Sequence, residues 1–134
     1  MSSQTVVLGK QSDIKKSLNI ALWVVQVGVA AMVLMAGANK LSGNEQMVGM
    51  FQAIGMGQWL RYLTGSLEVI GGILLFVPSL SGVGGLLMTA VFAGAVATHL
   101  FILGGNPTMA IVLLLTSAFI AWGRRDRTLK LMHL

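Results

Sequence analysis

Apolar runs of about twenty residues, broken by short polar stretches, set the pattern of this chain. Residues 18–38 hold 21 positions without a charge. Coiled as a helix at 1.5 Å per residue, such a run matches a hydrocarbon core of about 30 Å. Residues 61–80 form a second run with one charge inside it, Glu68. Residues 83–103 form a third, in which His99 alone is ionisable, and residues 108–123 a shorter fourth. Pro78, Ser79, Ser81 and Gly82 mark a tight turn between the second and third. Gly104-Gly105-Asn106-Pro107 marks another before the fourth, with Pro107 suited to a first helical position. The pattern predicts an all-α protein, an integral membrane four-helix up-and-down bundle.

Between the first two runs the pattern changes. Lys40, Ser42, Gly43, Asn44 and Glu45 read as a polar exit from the membrane. Met47, Met50, Phe51, Ile54 and Trp59 then recur at roughly helical spacing among Gln46, Gln52 and Gln58. This stretch is too polar and too interrupted by glycine to span. A short amphipathic helix is expected here, lying at the interface or dipping back toward the bundle. Residues 1–17 and 124–134 read as basic tails, the first mobile and becoming helical near the membrane. Gly28, Ala30, Ala31, Gly37 and Ala38 in the first run offer small surfaces for close helix contact.

Composition sharpens this picture. Hydrophobic residues make up 55% of the chain and charged residues 10%, against about 25% charged in a soluble domain. So few charges cannot cover a water-facing surface, and lipid must solvate most of the exterior. The net charge of +5 and a pI near 10.3 do not point to nucleic acid, because the cations flank the apolar runs and form no stripe among aromatics. Lys10, Lys15 and Lys16 precede the first run; Arg124, Arg125, Arg127 and Lys130 follow the last. Of the 9 basic residues, only Lys40 and Arg61 belong to loops on the opposite side. Both termini are therefore expected in the cytoplasm. Lysines before an apolar stretch and Ala36-Gly37-Ala38 resemble a secretory signal with its cleavage site. The run exceeds the usual secretory core of about 7–15 residues, so it is read as a retained span. The chain has no cysteine, which excludes disulfides and thiol redox chemistry within it.

An ionisable group inside a span is costly and defaults to a functional candidate. Arg61, Gly65, Glu68 and Gly72 follow each other at offsets of four, three and four, so they share one helix face. That face is expected to point inward, with the glycines admitting another helix beside the carboxylate. By helical rise Glu68 lies about 10 Å below Arg61, and His99 about 6 Å from the end of its own run. Lys40, Arg61, Glu68 and His99 thus all fall in the outer half of the bilayer, and no equivalent group is expected in the inner half. They form a candidate polar pocket opening outward, with Glu68 paired to Lys40, Arg61 or His99. The competing reading is an ion pair that locks helices and does no chemistry, with Lys40 and Arg61 snorkelling to headgroups. Met32/Met35 and Met47/Met50 are three apart, as soft copper ligands can be, but methionine is ordinary apolar filler and no metal site is assigned. Trp23, Trp59 and Trp122 sit near span ends, as interface anchors do.

Taken in order, Gly37-Ala38-Asn39-Lys40-Leu41, Phe51-Gln52-Ala53-Ile54-Gly55, Gly65-Ser66-Leu67-Glu68-Val69-Ile70-Gly71-Gly72, the turn at Pro78 and Gly94-Ala95-Val96-Ala97-Thr98-His99-Leu100 resemble the DoxX-like family of small four-helix bacterial membrane proteins. The resemblance covers residues 18–123 and implies a bacterial inner (plasma) membrane location. It places Lys40, Glu68 and His99 at the family's polar positions. It also implies association with redox complexes; the reading taken first is an accessory subunit holding a quinone near Glu68 and His99, with its own catalytic activity left open. Two alternatives stay open: a non-enzymatic scaffold or assembly factor, and a small-solute or proton pathway. The expected partners are the lipid bilayer and either a membrane redox protein or further copies of the chain.

Overall fold

The structure is a computed structural model that describes residues 3–133; the first two residues of the N-terminal tail and the last of the C-terminal one lie outside them. Among the described residues six α-helices follow one another: α1 Ser3–Leu41, α2 Glu45–Ile54, α3 Trp59–Phe76, α4 Ser81–Thr98, α5 Thr108–Gly123 and α6 Arg125–Met132. A single 3₁₀ turn, Pro78–Leu80, joins α3 to α4, and a π-helical turn, His99–Leu103, extends α4.

The four long helices close a ring in which α1 packs on α3, α3 on α4, α4 on α5 and α5 back on α1. Leu22, Val29, Val33, Leu75, Met88 and Ile120 fill its centre. The outside is as apolar as the inside: Val24, Ile70, Ile73, Phe76, Leu115 and Phe101 are all exposed. Water would leave this surface unsolvated, whereas acyl chains would not. Ser3–Leu41, Trp59–Phe76 and Pro78–Leu103 are each long and apolar enough to cross a membrane. α5 has 16 residues, about 24 Å of rise, and becomes a candidate fourth crossing only together with α6, from which it is bent by 58°.

Small residues decide how closely the helices approach. A Cβ at Gly37 would sit 2.8 Å from Gly65 O, and one at Gly85 would sit 2.8 Å from Ala121 N. Gly28, expected at a helix contact, instead has open space around it. In the N-terminal tail α1 runs helically from Ser3, with residues 3–17 exposed. The C-terminal tail likewise forms a helix, α6, that folds back onto α4 and the Pro78 turn. There Arg127 Nη1 donates to Pro78 O at 2.7 Å.

The amphipathic helix stands where its spacing predicts it. Asn44 caps its start, accepting from Gln46 N at 2.9 Å, as short polar side chains do at free N–H groups. Gly55 ends it at φ +81, with its N–H on Phe51 O, a left-handed conformation that favours glycine. Phe51 is buried, with Met47, Met50 and Ile54 half-buried beside it, while Gln46 and Gln52 face out. Trp59 does not join that face; it opens α3, exposed, with Nε1 donating to Met56 O at 2.7 Å.

Candidate functional site: an ion pair in the wall of an apolar cavity

α3 carries its polar face inward. Arg61, Gly65, Glu68 and Gly72 are all buried. The absence of a side chain at Gly65 lets the stem of Lys40 cross it, since a Cβ there would lie 3.0 Å from Lys40 Cβ. The ammonium of Lys40 thereby reaches Glu68, with Nζ 2.8 Å from Oε1. The carboxylate is 3% exposed, and its second oxygen, Oε2, is buried with no hydrogen-bond partner. Of the three partners expected for Glu68, the structure gives it Lys40.

Arg61 takes a different part. It is also buried, at 5% exposure. Its Nη1 donates to the backbone oxygen of Lys40 and its Nε to Gln58 Oε1 at 2.7 Å. Gln58 in turn donates to Val48 O at 3.1 Å. Arg61 therefore braces the ends of α1, α2 and α3 against each other behind the ion pair.

In front of the ion pair lies a cavity of about 530 Å³, walled by α1, α2, α3, α4, the π turn and α5. Lys40, Glu68 and His99 all line it; Arg61 does not. Thr64, Thr98 and Asn106 add polar atoms that the sequence pattern did not single out, and most of the remaining wall is apolar. The pocket is thus amphiphilic, with polar side chains contributed by α1, α3, α4, the π turn and the loop before α5 in an otherwise apolar wall. Met47 and Met50 belong to the apolar part. His99 opens the π turn, with Nδ1 2.9 Å from Ala95 O. Such turns widen a helix locally and recur at functional positions.

A second polar cluster occupies the opposite end of the bundle, where no inward polar group was expected. Gln26 is fully buried; its Nε2 donates to Leu75 O at 2.9 Å. Its Oε1 accepts from Arg124 Nε at 2.7 Å, and Arg124 Nη1 donates to Asn19 Oδ1 at 2.9 Å. Arg124 is therefore no tail charge; it is 4% exposed and pins α1 to the α5–α6 bend. The sequence carried one signal of this cluster: Asn19 and Gln26 are seven apart, on one face of an otherwise apolar helix.

A family model described as the DoxX-like family matches residues 24–123, most of the chain and the whole of the cavity. The chain belongs to the DoxX-like family. Membership and the apolar helices together make it a membrane protein. A protein of Bacillus subtilis (strain 168) named "Putative oxidoreductase CatD" is 29% identical over 108 residues, which cover 79% of this chain and 81% of that relative. No solved structure matches the chain significantly. The DoxX-like match spans Lys40, Glu68 and His99 and stops one residue before Arg124, so the arginine of the second cluster lies outside it.

Proposed function

We propose that this DoxX-like protein is an accessory subunit of a redox or quinone-linked complex of the bacterial inner membrane, and that its cavity receives a quinone-type ring. The observation that carries the reading is that Glu68, whose Oε2 is buried without a partner, lines an apolar cavity that His99 also lines. An orphaned buried acceptor is costly, and such a ring in its reduced, quinol form carries the hydroxyl donor that would relieve the cost, which a quinone carbonyl cannot. A cavity of about 530 Å³ falls in the range of roughly 300–1,000 Å³ common for small-molecule sites. Glu68, Lys40 and His99 would hold the polar edge of such a ring, and Phe51, Phe92 and Leu113 its apolar body. A quinone supplies carriage of electrons together with protons. In that setting a carboxylate and an imidazole are suitable proton handlers. The relative's name, an oxidoreductase, supports the same direction.

The membrane arrangement that accompanies this reading has four crossings, near residues 18–38, 61–80, 83–103 and 108–123, with both termini in the cytoplasm. The distribution of the 9 Lys and Arg supports it, with six in the terminal segments and a seventh, Arg124, buried at that same end. The cavity then lies in the outer half of the bilayer.

A second reading has its own observation. The Lys40–Glu68 pair and the Arg61 brace tie α1, α2 and α3 together, as a scaffold or assembly factor without ligand would need. Mass spectrometry after gentle detergent extraction separates the two. A retained quinone or a co-purifying redox protein supports the first, and a stable oligomer holding neither supports the second.

A further inference from the structure

Resting on the cavity reading above, we propose that the pocket selects amphiphilic ring compounds bearing a free hydroxyl, of phenol or quinol type, over their carbonyl or ether counterparts. The selection comes from hydrogen-bond polarity. His99 Nδ1 lies 2.9 Å from Ala95 O. A carbonyl only accepts, so Nδ1 carries a proton there, and in that tautomer Nε2 is the ring's accepting nitrogen. Glu68 meets the Lys40 ammonium through Oε1 at 2.8 Å, and the buried Oε2 of that carboxylate only accepts. Thr64 Oγ1 gives its proton to Leu60 O and Thr98 Oγ1 to Gly94 O, each at 2.8 Å. Both hydroxyls therefore offer lone pairs.

The donors that line the cavity are the remaining protons of Lys40 and the amide of Asn106, whose Oδ1 already accepts from Thr108 N at 3.0 Å. Lys40 stands beside the same carboxylate. A hydroxyl at that point accepts from Lys40 and, once the carboxylate turns Oε2 toward the cavity, donates to it. A carbonyl or an ether oxygen takes the lysine proton only, and Oε2 stays buried without a donor. Leaving a buried charged acceptor unpaired weakens binding by about tenfold or more.

The test uses the full chain in detergent micelles and two matched ligand pairs: para-nonylphenol with its O-methyl ether, and a short-tailed benzoquinone with the same compound reduced to its quinol. Affinity is read from the ligand-dependent rise in melting temperature. The phenol and the quinol are expected to bind about tenfold or more tightly than the ether and the quinone. In Glu68→Gln, the amide brings an N–H donor to the wall, and this preference should collapse or reverse. Ether or quinone binding that equals or exceeds hydroxyl binding in the unaltered protein overturns the inference and leaves the cavity reading standing. Binding of none of the four ligands overturns the cavity reading and the inference together. Should Glu68→Gln fail to fold, the two pairs on the unaltered protein still decide the question.

Discussion

Glu68 is the most exacting side chain in the molecule, because a carboxylate 3% exposed is tolerable only while its cation stays in place. Replacing Lys40 with Met removes that cation and keeps the apolar stem. The expected cost is about 3–5 kcal/mol, the scale for stranding one partner of a buried pair, read as a lowered thermal midpoint in lipid nanodiscs. The double variant Lys40→Met with Glu68→Leu removes both charges and should recover most of that loss, since hydrophobic replacement of a whole buried pair is often neutral. If the double variant is stable but no longer retains a ligand, the pair is shown to serve binding more than folding. At the other end, Gln26→Leu strands both the Leu75 carbonyl and Arg124 Nε. A loss of about 1–3 kcal/mol is expected in the same melt. Such a cost would mark Arg124 as a structural clamp, and an unchanged midpoint would return it to the role of a headgroup-facing charge.

At the scale of elements, glycines divide by what surrounds them. A Cβ at Gly85 would press on the backbone of α5, 2.8 Å from Ala121 N and 3.1 Å from its Cα. Backbone cannot rotate away as a side-chain tip can. Gly85→Ala should therefore separate α4 from α5 and cost about 1–3 kcal/mol, whereas Gly28→Ala, with open space around it, should leave the melting midpoint unmoved. Gly55 is constrained differently. Its φ of +81 is a conformation that costs an L-residue about 1–2 kcal/mol. Gly55→Ala should loosen α2 above the cavity, and hydrogen exchange across residues 45–54 should speed up while the four long helices keep their protection. Uniform exchange across the whole chain would show instead that α2 melts only with the bundle.

For the molecule as a whole, the arrangement of crossings is open to a direct check because the chain has no native cysteine. Single cysteines at Ser42, in the α1–α2 loop, and at Ser79, in the α3–α4 turn, are both at exposed positions. With both termini cytoplasmic, a membrane-impermeant maleimide added to spheroplasts should label the first and spare the second. The reverse pattern would place the cavity in the inner leaflet and exchange the two polar ends. Labelling of both would contradict a crossing by α3.

Much of this protein was legible in order along the chain, and the reason is the solvent. Lipid leaves backbone polar groups no partner but the helix itself, so uncharged runs of spanning length announce helices and their breaks announce turns. The inward face of α3 was legible for a related reason: Arg61, Gly65, Glu68 and Gly72 share a helical register, and a charged face that avoids lipid must turn to the protein. What the chain order could not decide is which groups meet across helices. Lys40 and Arg61 are cations of equal claim to one carboxylate; the bare surface of Gly65 lets the lysine through and leaves the arginine to the Lys40 carbonyl and Gln58. Gln26 and Arg124 are 98 residues apart, and their bond exists only because closing the ring of helices brings the middle of α1 to the bend after α5. Helical periods are local, set by neighbours three and four residues away, whereas the walls of a cavity are set by how closely separate helices approach, and that distance is fixed by packing.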